Sequence, residues 1–514
     1  MRARCLNPMS HYGLITLITL LAFTSCLEQV DITKYSIENN PSAQALQASL
    51  DTMTLAYEDV IVSGKIIGYK HGRSAEDLEV YINDAIRSDQ VFYYNKINSD
   101  GTFEVKFQLA HPQDIMIKYQ RVFSIFAAPG DSIYFEFNGL TKSRPRIYQT
   151  ITFGGDHAAT NTQLARYWHR YFRQRDLKDL RRAQKHMNLE HYDRYMNKLF
   201  EEQQVLRASI LDKMESNDTT LLYTHLDIEL DLHERYTGYF MRERKTIDRS
   251  SDILTVIESM PTWGKSSMIN TKFKHLASNM HLLVPVTEEK VVDDFFEHYL
   301  LTHKKALTNQ PMLKEIVFNE MLSHAFARYV DLSAHANDIS PFIQNPLIAE
   351  TLNNKLNKVI KHNQDPQVSN KIMLDHISAI DKDEIIQKLK DDHKGKVLYI
   401  DFWATYCAPC ISEMMVSNDM HDRYADDLVT FVYICLDGKE RSDKWDNIVN
   451  GKGLKGHHLQ LTGSQSNNLM KGIGFTGVPF YMILDQEGNL IEKGSHLRPS
   501  SGQSSMAIDK LIET

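Results

Sequence analysis

The sequence reads as a multidomain chain with an N-terminal β-sandwich over residues 57–150, a central α-helical region over 151–377 and a C-terminal α/β domain over 378–514. Three patterns carry this reading. Between Tyr57 and Asn138, short runs of β-branched and aromatic residues alternate with turn formers such as Ser99-Asp100-Gly101 and Pro129-Gly130-Asp131. Further on, Leu164, Tyr167, Trp168, Tyr171 and Phe172 fall at i, i+3, i+4, i+7 and i+8, one face of a helix. Near the C-terminus the stretch from Lys396 to Glu413, KVLYIDFWATYCAPCISE, passes from a strand-like apolar run into helical spacing. A chain of 514 residues is also too long for one hydrophobic core.

Composition narrows the function classes. Lys and Arg number 58 against 66 Asp and Glu, a net charge of −8, so no basic surplus points to nucleic acid. No stretch reaches the ~18 consecutive apolar residues of a membrane-spanning helix.

Residues 1–25 read as a signal peptide. Arg2 and Arg4 supply positive charge, and Leu14 to Phe23 is a short apolar run broken only by Thr16 and Thr19. Phe23-Thr24-Ser25-Cys26 resembles a bacterial lipobox, with Phe in an unusual first position. That resemblance implies removal of the signal and lipidation of Cys26; ordinary cleavage nearby, or an uncleaved anchor, are the alternatives. Acyl chains would hold the protein to a membrane without a spanning helix. Residues 26–56 are polar and read as a tether.

Strand-like runs then cover Val60 to Ile67, Leu78 to Ile82, Val91 to Ile97, Phe103 to Leu109, Ile115 to Tyr119 and Ile133 to Phe137. Phe153-Gly154-Gly155-Asp156 opens the helical region. Its aromatic stripes, including Val291-Val292, Phe295-Phe296 and Tyr299-Leu300, read as core, and the charged run Arg173 to Lys185 as a solvated face. Histidines are frequent there (His225, His233, His298, His303, His324), but no His-Glu-x-x-His occurs, and scattered solvent-facing side chains are the reading taken.

The chemistry concentrates at Cys407 and Cys410. Val397-Leu398-Tyr399-Ile400 is too short for a helix and suits a strand covered on both faces. After Cys410, Ile411, Met414 and Met415 take up helical spacing. Cysteines in the first helical turn meet free backbone N–H groups and the positive end of the helix dipole, which lower the pKa of the first thiol. The second cysteine, one turn on, can close a disulfide and release what the first has captured. Half of a zinc site and two incidental core thiols are the competing readings of a Cys-x-x-Cys, but no second Cys-x-x-Cys or His-x-x-x-His is present to complete a zinc site. Cys435, in the apolar run Val429 to Leu436, reads as a core thiol.

DFWATYCAPC resembles the active-site segment of thioredoxin-fold proteins. Gly477-Val478-Pro479-Phe480, ahead of a short apolar strand, supports the match, which covers roughly Ser378 to Thr514. The wider layout resembles the membrane-anchored thioredoxin-like reductases of bacterial envelopes, common in Bacteroidetes-type bacteria. SDGTFEVKF followed by PGDSIYFEF is similar to the sandwich that often precedes such domains, and a spacer or partner-binding module is the reading favoured for it.

The resemblance implies a C-terminal α/β thioredoxin fold, a Cys407–Cys410 disulfide, a cis bond before Pro479 and no cofactor beyond the redox-active disulfide. Cys407 would attack and Cys410 would resolve. Two carboxyls compete to exchange the proton of Cys410: Asp401 matches the buried carboxyl of thioredoxins, and Glu413 matches the glutamate of extracytoplasmic reductases, with a solvent-facing position as its alternative. Trp403 and Tyr406 would shield the site and offer a flat apolar surface, and Val478 and Pro479 would bind substrate backbone. Partners would be envelope proteins with thiols or disulfides and a membrane electron donor. Two departures affect the redox potential: Met415 stands where thioredoxins carry a helix proline, and Tyr433 falls where the lysine partner of the aspartate would be. Ala408-Pro409 keeps proline beside the second cysteine, as in reducing members.

Two other functions compete. The dithiol could hold copper, with His457, His458 or His496 completing the site, since soft thiolates suit Cu(I); copper-delivery relatives, however, generally space their cysteines by three residues. Alternatively, the helical region is a binding scaffold with an accessory redox domain.

Overall fold

A computed structural model describes residues 31–71, 77–175, 180, 187–242, 260–283, 310–326, 332–363, 372–376, 382–437, 445, 448–449, 454–461 and 463–513. The signal peptide, Cys26, the stripe from Val291 to Leu300, His298 and His303 lie outside the described residues, as does most of the run Arg173 to Lys185. The chain divides into two compact units, Met1–Val91 with Asn95–Glu320 and Phe342–Leu347, and Phe92–Tyr94 with Met321–Pro341 and Ile348–Thr514.

The first unit begins with helix α1 (Pro41–Thr52) and a sheet-rich region. Its strands are β1 (Glu58–Ile67), β2 (Asp77–Asp84), β3 (Asp89–Lys96), β4 (Thr102–Leu109), β5 (Gln113–Lys118), β6 (Val122–Ala127), β7 (Ser132–Asn138) and β8 (Thr152–Gly155). They form two four-stranded sheets, ordered β4-β1-β7-β8 and β3-β2-β5-β6. Alternation decides the facing: Val60, Val62 and Ile66 of β1 and Phe103, Val105, Phe107 and Leu109 of β4 are all buried. The sheets meet through aromatic rings, with Phe123 of β6 lying 6.0 and 5.2 Å from Phe135 and Phe137 of β7.

Helices α2 (Arg144–Thr150), α3 (Ala158–Gln174), α4 (Leu189–Leu211), α5 (Asp218–Arg242), α6 (Lys272–Leu283) and α7 (Pro311–Phe326) follow. The aromatic stripe of α3 is core: Leu164, Tyr167, Trp168 and Tyr171 are buried. Two expectations fail here. Residues 32–55 are not a free tether, because Tyr35, Ile37, Ala43 and Leu55 are buried. Tyr35 Oη donates to Asp212 at 2.8 Å, and the buried Arg207 donates to the Tyr35 carbonyl at 2.9 Å. Nor are the histidines simply solvent-facing. His233 is buried, its Nδ1 lies 2.8 Å from the Glu229 carbonyl, and burial pulls its pKa down to about 4.

The second unit carries α8 (Pro346–Asn363), β9 (Ile372–His376), α9 (Lys382–Asp392), β10 (Val397–Trp403), α10 (Ala408–His421), β11 (Val429–Cys435), β12 (Gly456–Gln460), α11 (Gly463–Ile473), β13 (Phe480–Leu484), β14 (Leu490–Gly494) and α12 (Gln503–Ile512). Six strands form one sheet in the order β14-β13-β10-β11-β12-β9. β10 lies inside it, parallel to β11 and antiparallel to β13. β9 pairs parallel with β12, so the sheet begins before the expected boundary at residue 378. Every residue of β10 and β11 is buried, as a strand covered on both faces requires. Val397, Tyr399 and Trp403 enter one core with Cys407, Cys410 and Met414, while Leu398, Ile400 and Phe402 enter the other. Burial of each such side chain contributes about 1.5–3 kcal/mol. No helix among the described residues is long and apolar enough to cross a membrane.

Candidate active site

β10 ends at Trp403, and the chain is pinned before it enters α10. The Leu436 N–H donates to the Trp403 carbonyl at 2.9 Å, and the Thr405 N–H donates to Asp437 Oδ2 at 2.8 Å. The Thr405 hydroxyl donates to the same carboxylate oxygen. Cys407 is then the N-cap of α10, where its Sγ accepts from the Cys410 N–H at 3.2 Å. Pro409 fits the first turn because no helical carbonyl needs its missing N–H there. The two cysteines form a disulfide with Cα atoms 5.3 Å apart. Cys407 is 6% exposed and Cys410 wholly buried, so only the first sulfur can meet a partner.

Around the disulfide the expected residues divide. Tyr406 is 67% exposed, as a partner surface needs. Trp403 is not: it is fully buried in the core shared with Cys407 and Cys410, so it supports the site from beneath and offers no surface. The physical reason is strand alternation, which turns Trp403 to the same face as Tyr399. The Val478–Pro479 bond is cis, Pro479 is buried, and Val478 packs against the core that holds both cysteines.

Asp401 lies in register with Tyr433 on β11 and Tyr481 on β13. It is buried, and its Oδ1 has no hydrogen-bond partner among the described residues. Burial raises its pKa well above the ordinary carboxyl value; the Glu413 charge adds to the rise and the Arg498 charge opposes it. No lysine partners it through β11: Tyr433 stands there, its hydroxyl 2.7 Å from Ser417 Oγ. Glu413 is buried rather than solvent-facing. Its Oε2 accepts from the Ser500 N–H at 3.0 Å, its Oε1 accepts from Ser500 Oγ at 2.7 Å, and Arg498 Nη1 lies 3.8 Å from Oε1.

Arg498 and Ser500 are the residues that sequence reasoning missed. The stretch Arg498-Pro499-Ser500-Ser501 reads as polar loop, and the only local signal of order is Gly502 beyond it, which takes a positive φ ahead of α12. The proposed copper ligands are occupied otherwise. His458 Nε2 lies 2.7 Å from the Leu454 carbonyl, His496 Nε2 lies 2.8 Å from Glu492, and the His457 ring packs on His393. Cys435 is buried, and burial pushes its thiol up to about 12.

A family model described as thioredoxin-like matches residues 395–490, the stretch that holds β10, the dithiol and the cis-proline. The C-terminal domain is thioredoxin-like. Two curated relatives illustrate the match. The chain is 29% identical to the thiol-disulfide oxidoreductase ResA of Bacillus thuringiensis over 102 residues, 20% of this chain and 56% of that protein. It is 41% identical to ResA of Oceanobacillus iheyensis over 49 residues, 10% of this chain and 26% of that protein. The match therefore spans little more than half the length of the first of these relatives. Among solved structures, the thioredoxin domain of a thiol-disulfide oxidoreductase from Bacteroides vulgatus is 20% identical, with 24% of this chain and 83% of that one covered at a TM-score of 0.22. Within the thioredoxin-like domain the dithiol, Asp401 and the Val478–Pro479 bond all belong to the matched stretch. Arg498 and Ser500 fall beyond it.

Proposed function

We propose that the protein is a membrane-anchored thiol–disulfide oxidoreductase that reduces disulfides of envelope proteins through Cys407 and Cys410. The observation that carries this reading is the Cys407–Cys410 disulfide at the N-terminus of α10, with Cys407 slightly exposed and Cys410 wholly buried. In the reduced protein the Cys407 thiolate attacks a substrate disulfide. A new S–S bond joins Cys407 to one substrate sulfur, and the other leaves as a thiolate that takes a proton from water. Cys410 then gives its proton to a neighbouring carboxylate and attacks Cys407 Sγ. The Cys407–Cys410 bond closes, the second substrate sulfur leaves, and two electrons have passed to the substrate.

A dithiol donor at the membrane must return those electrons, and no cofactor beyond the disulfide is needed. Anchoring through a lipid on Cys26 rests on the charged start, the short apolar run and the lipobox-like tetrapeptide. The two facing sheets are read as a β-sandwich that serves, with the helical region, as spacer or partner-binding module.

Trapping tests the reaction. Cys410→Ser should accumulate mixed disulfides with envelope proteins, and Cys407→Ser should not; equal trapping by both, or by neither, would overturn the assigned roles. Mass spectrometry of the mature N-terminus should find an acylated Cys26, and a free amino group at another residue would remove the anchor.

A further inference from the structure

Two carboxyls and one guanidinium share the ground behind the dithiol, all nearly out of contact with water. Arg498 is 4% exposed, Glu413 6% and Asp401 1%. They come from three separate places in the chain: Asp401 from inside the sheet, Glu413 from the second turn of α10, and Arg498 from the connection between β14 and α12. Glu413 receives everything an ionised carboxylate needs, namely the N–H and hydroxyl of Ser500 and the Arg498 charge at 3.8 Å. Asp401 receives little, because among the described residues its Oδ1 has no donor.

Arg498 is itself held in place. Its carbonyl accepts from the Ser501 N–H at 3.0 Å, from Ser501 Oγ at 2.8 Å and from Ser504 Oγ at 3.2 Å, which ties the arginine to the start of α12. Among the described residues, the other titratable groups facing this ground are Tyr399 on the same strand as Asp401, Tyr433 and Tyr481 on the flanking strands, and the cysteines of α10. None of them carries a positive charge.

We infer that Arg498 is a positioning residue of the dithiol site, a buried positive charge set against Glu413 that offsets the Glu413 anion where Asp401 exchanges its proton. Arg498 is given no contact with sulfur or substrate in this role; its charge acts on Asp401 against that of Glu413. The arginine thereby does from the α12 side what a lysine beside the aspartate would do from β11, where Tyr433 stands. Burial and the Glu413 charge raise the Asp401 pKa while Arg498 lowers it, so the two side chains bias one titration in opposite directions.

That opposition is the test, and the inference rests on the proposed dithiol function without needing turnover to be read. The carboxyl titration of Asp401 is followed in the oxidised full-length protein by its infrared carboxyl band, assigned as the band lost in Asp401→Asn. Glu413→Gln should move the midpoint down and Arg498→Gln should move it up, each by about 1–3 pH units, with Arg498→Lys returning it towards wild type. Shifts of the same sign, or an unmoved midpoint in either variant, would overturn the inference. Protection of Cys435 from alkylation reports whether each variant is folded, and Arg498→Met is read in place of Arg498→Gln if that variant does not fold. Opposed shifts in a protein whose Cys410→Ser form traps no partner would leave the acid pair as inferred and overturn the proposed function.

Discussion

Glu413→Ala removes the acceptor at the centre of the buried charge cluster, and its cost can be worked from the contacts. The Ser500 N–H and hydroxyl lose a charged acceptor at 3.0 and 2.7 Å, and hydrogen bonds to charged groups are worth about 1.5–3 kcal/mol each. Arg498 Nη1 at 3.8 Å is too far for a hydrogen bond, so it contributes through charge alone. Alanine would leave that guanidinium buried without its anion, a situation that costs about 3–5 kcal/mol when one member of a buried pair is removed. These ranges describe overlapping losses, so we expect a destabilisation of about 4 kcal/mol for the C-terminal domain. Glu413→Gln keeps an oxygen for Ser500 and should cost about 1–2 kcal/mol. Cys435 supplies the assay, because it is fully buried on β11 and becomes reactive only when that strand opens. Pulsed alkylation across a urea series, with the Cys435 peptide read by mass spectrometry, isolates this domain from the rest of the chain. A loss below about 1 kcal/mol in the alanine variant, or equal losses in both variants, would refute a buried hydrogen-bonded anion at Glu413.

Three further outcomes are expected. The native Asp401 carboxyl holds its proton to a higher pH than the unfolded chain does, so the stability it contributes is fully present below pH 3.8 and falls as pH rises through its native value; in Asp401→Asn that fall should disappear from urea midpoints taken across pH. In the first unit, burial raises Asp114 from 3.8 to about 7 while the Thr271 N–H donates to its Oδ1 at 2.8 Å. By the same sign, stability should fall by about 3 kcal/mol between pH 5 and 8, and Asp114→Asn, which keeps an acceptor oxygen, should flatten the profile. Tyr406→Ala should leave stability within about 0.5 kcal/mol, since the side chain is exposed, yet should slow mixed-disulfide formation with protein substrates more than with a small disulfide.

What was legible in the sequence is what local pattern encodes. Val397 to Ile400 announced a strand, and the spacing after Cys410 announced a helix, so the dithiol's place at the helix start followed from a dozen adjacent residues. The six expected runs between Val60 and Phe137 are strands for the same reason. The thioredoxin-like resemblance added the cis bond at Pro479. Features made by distant partners were not legible. Thr152–Gly155 carries two glycines and poor strand propensity, yet it pairs along β7 as an edge. Residues 32–55 look polar because so few of their side chains are buried, and what holds them is Arg207 and Asp212, far along the chain. Glu413 could be read either way until Ser500 and Arg498, from the other end of the domain, were placed beside it.

The total burial of Cys410 sets a time rather than a barrier. Cys407 keeps a small exposed edge that a free thiol in the surroundings can approach, but Cys410 touches no solvent. On the proposed function, resolution of a mixed disulfide by Cys410 would be governed from inside, by how quickly an enclosed proton leaves the second thiol. An external thiol can also release the partner by attacking the outer sulfurs of the mixed disulfide, so the enclosed step sets the lifetime where such thiols are scarce. A partner that must be held until its own remaining disulfides rearrange would experience this as a fixed dwell, wound by the acid pair behind the sheet.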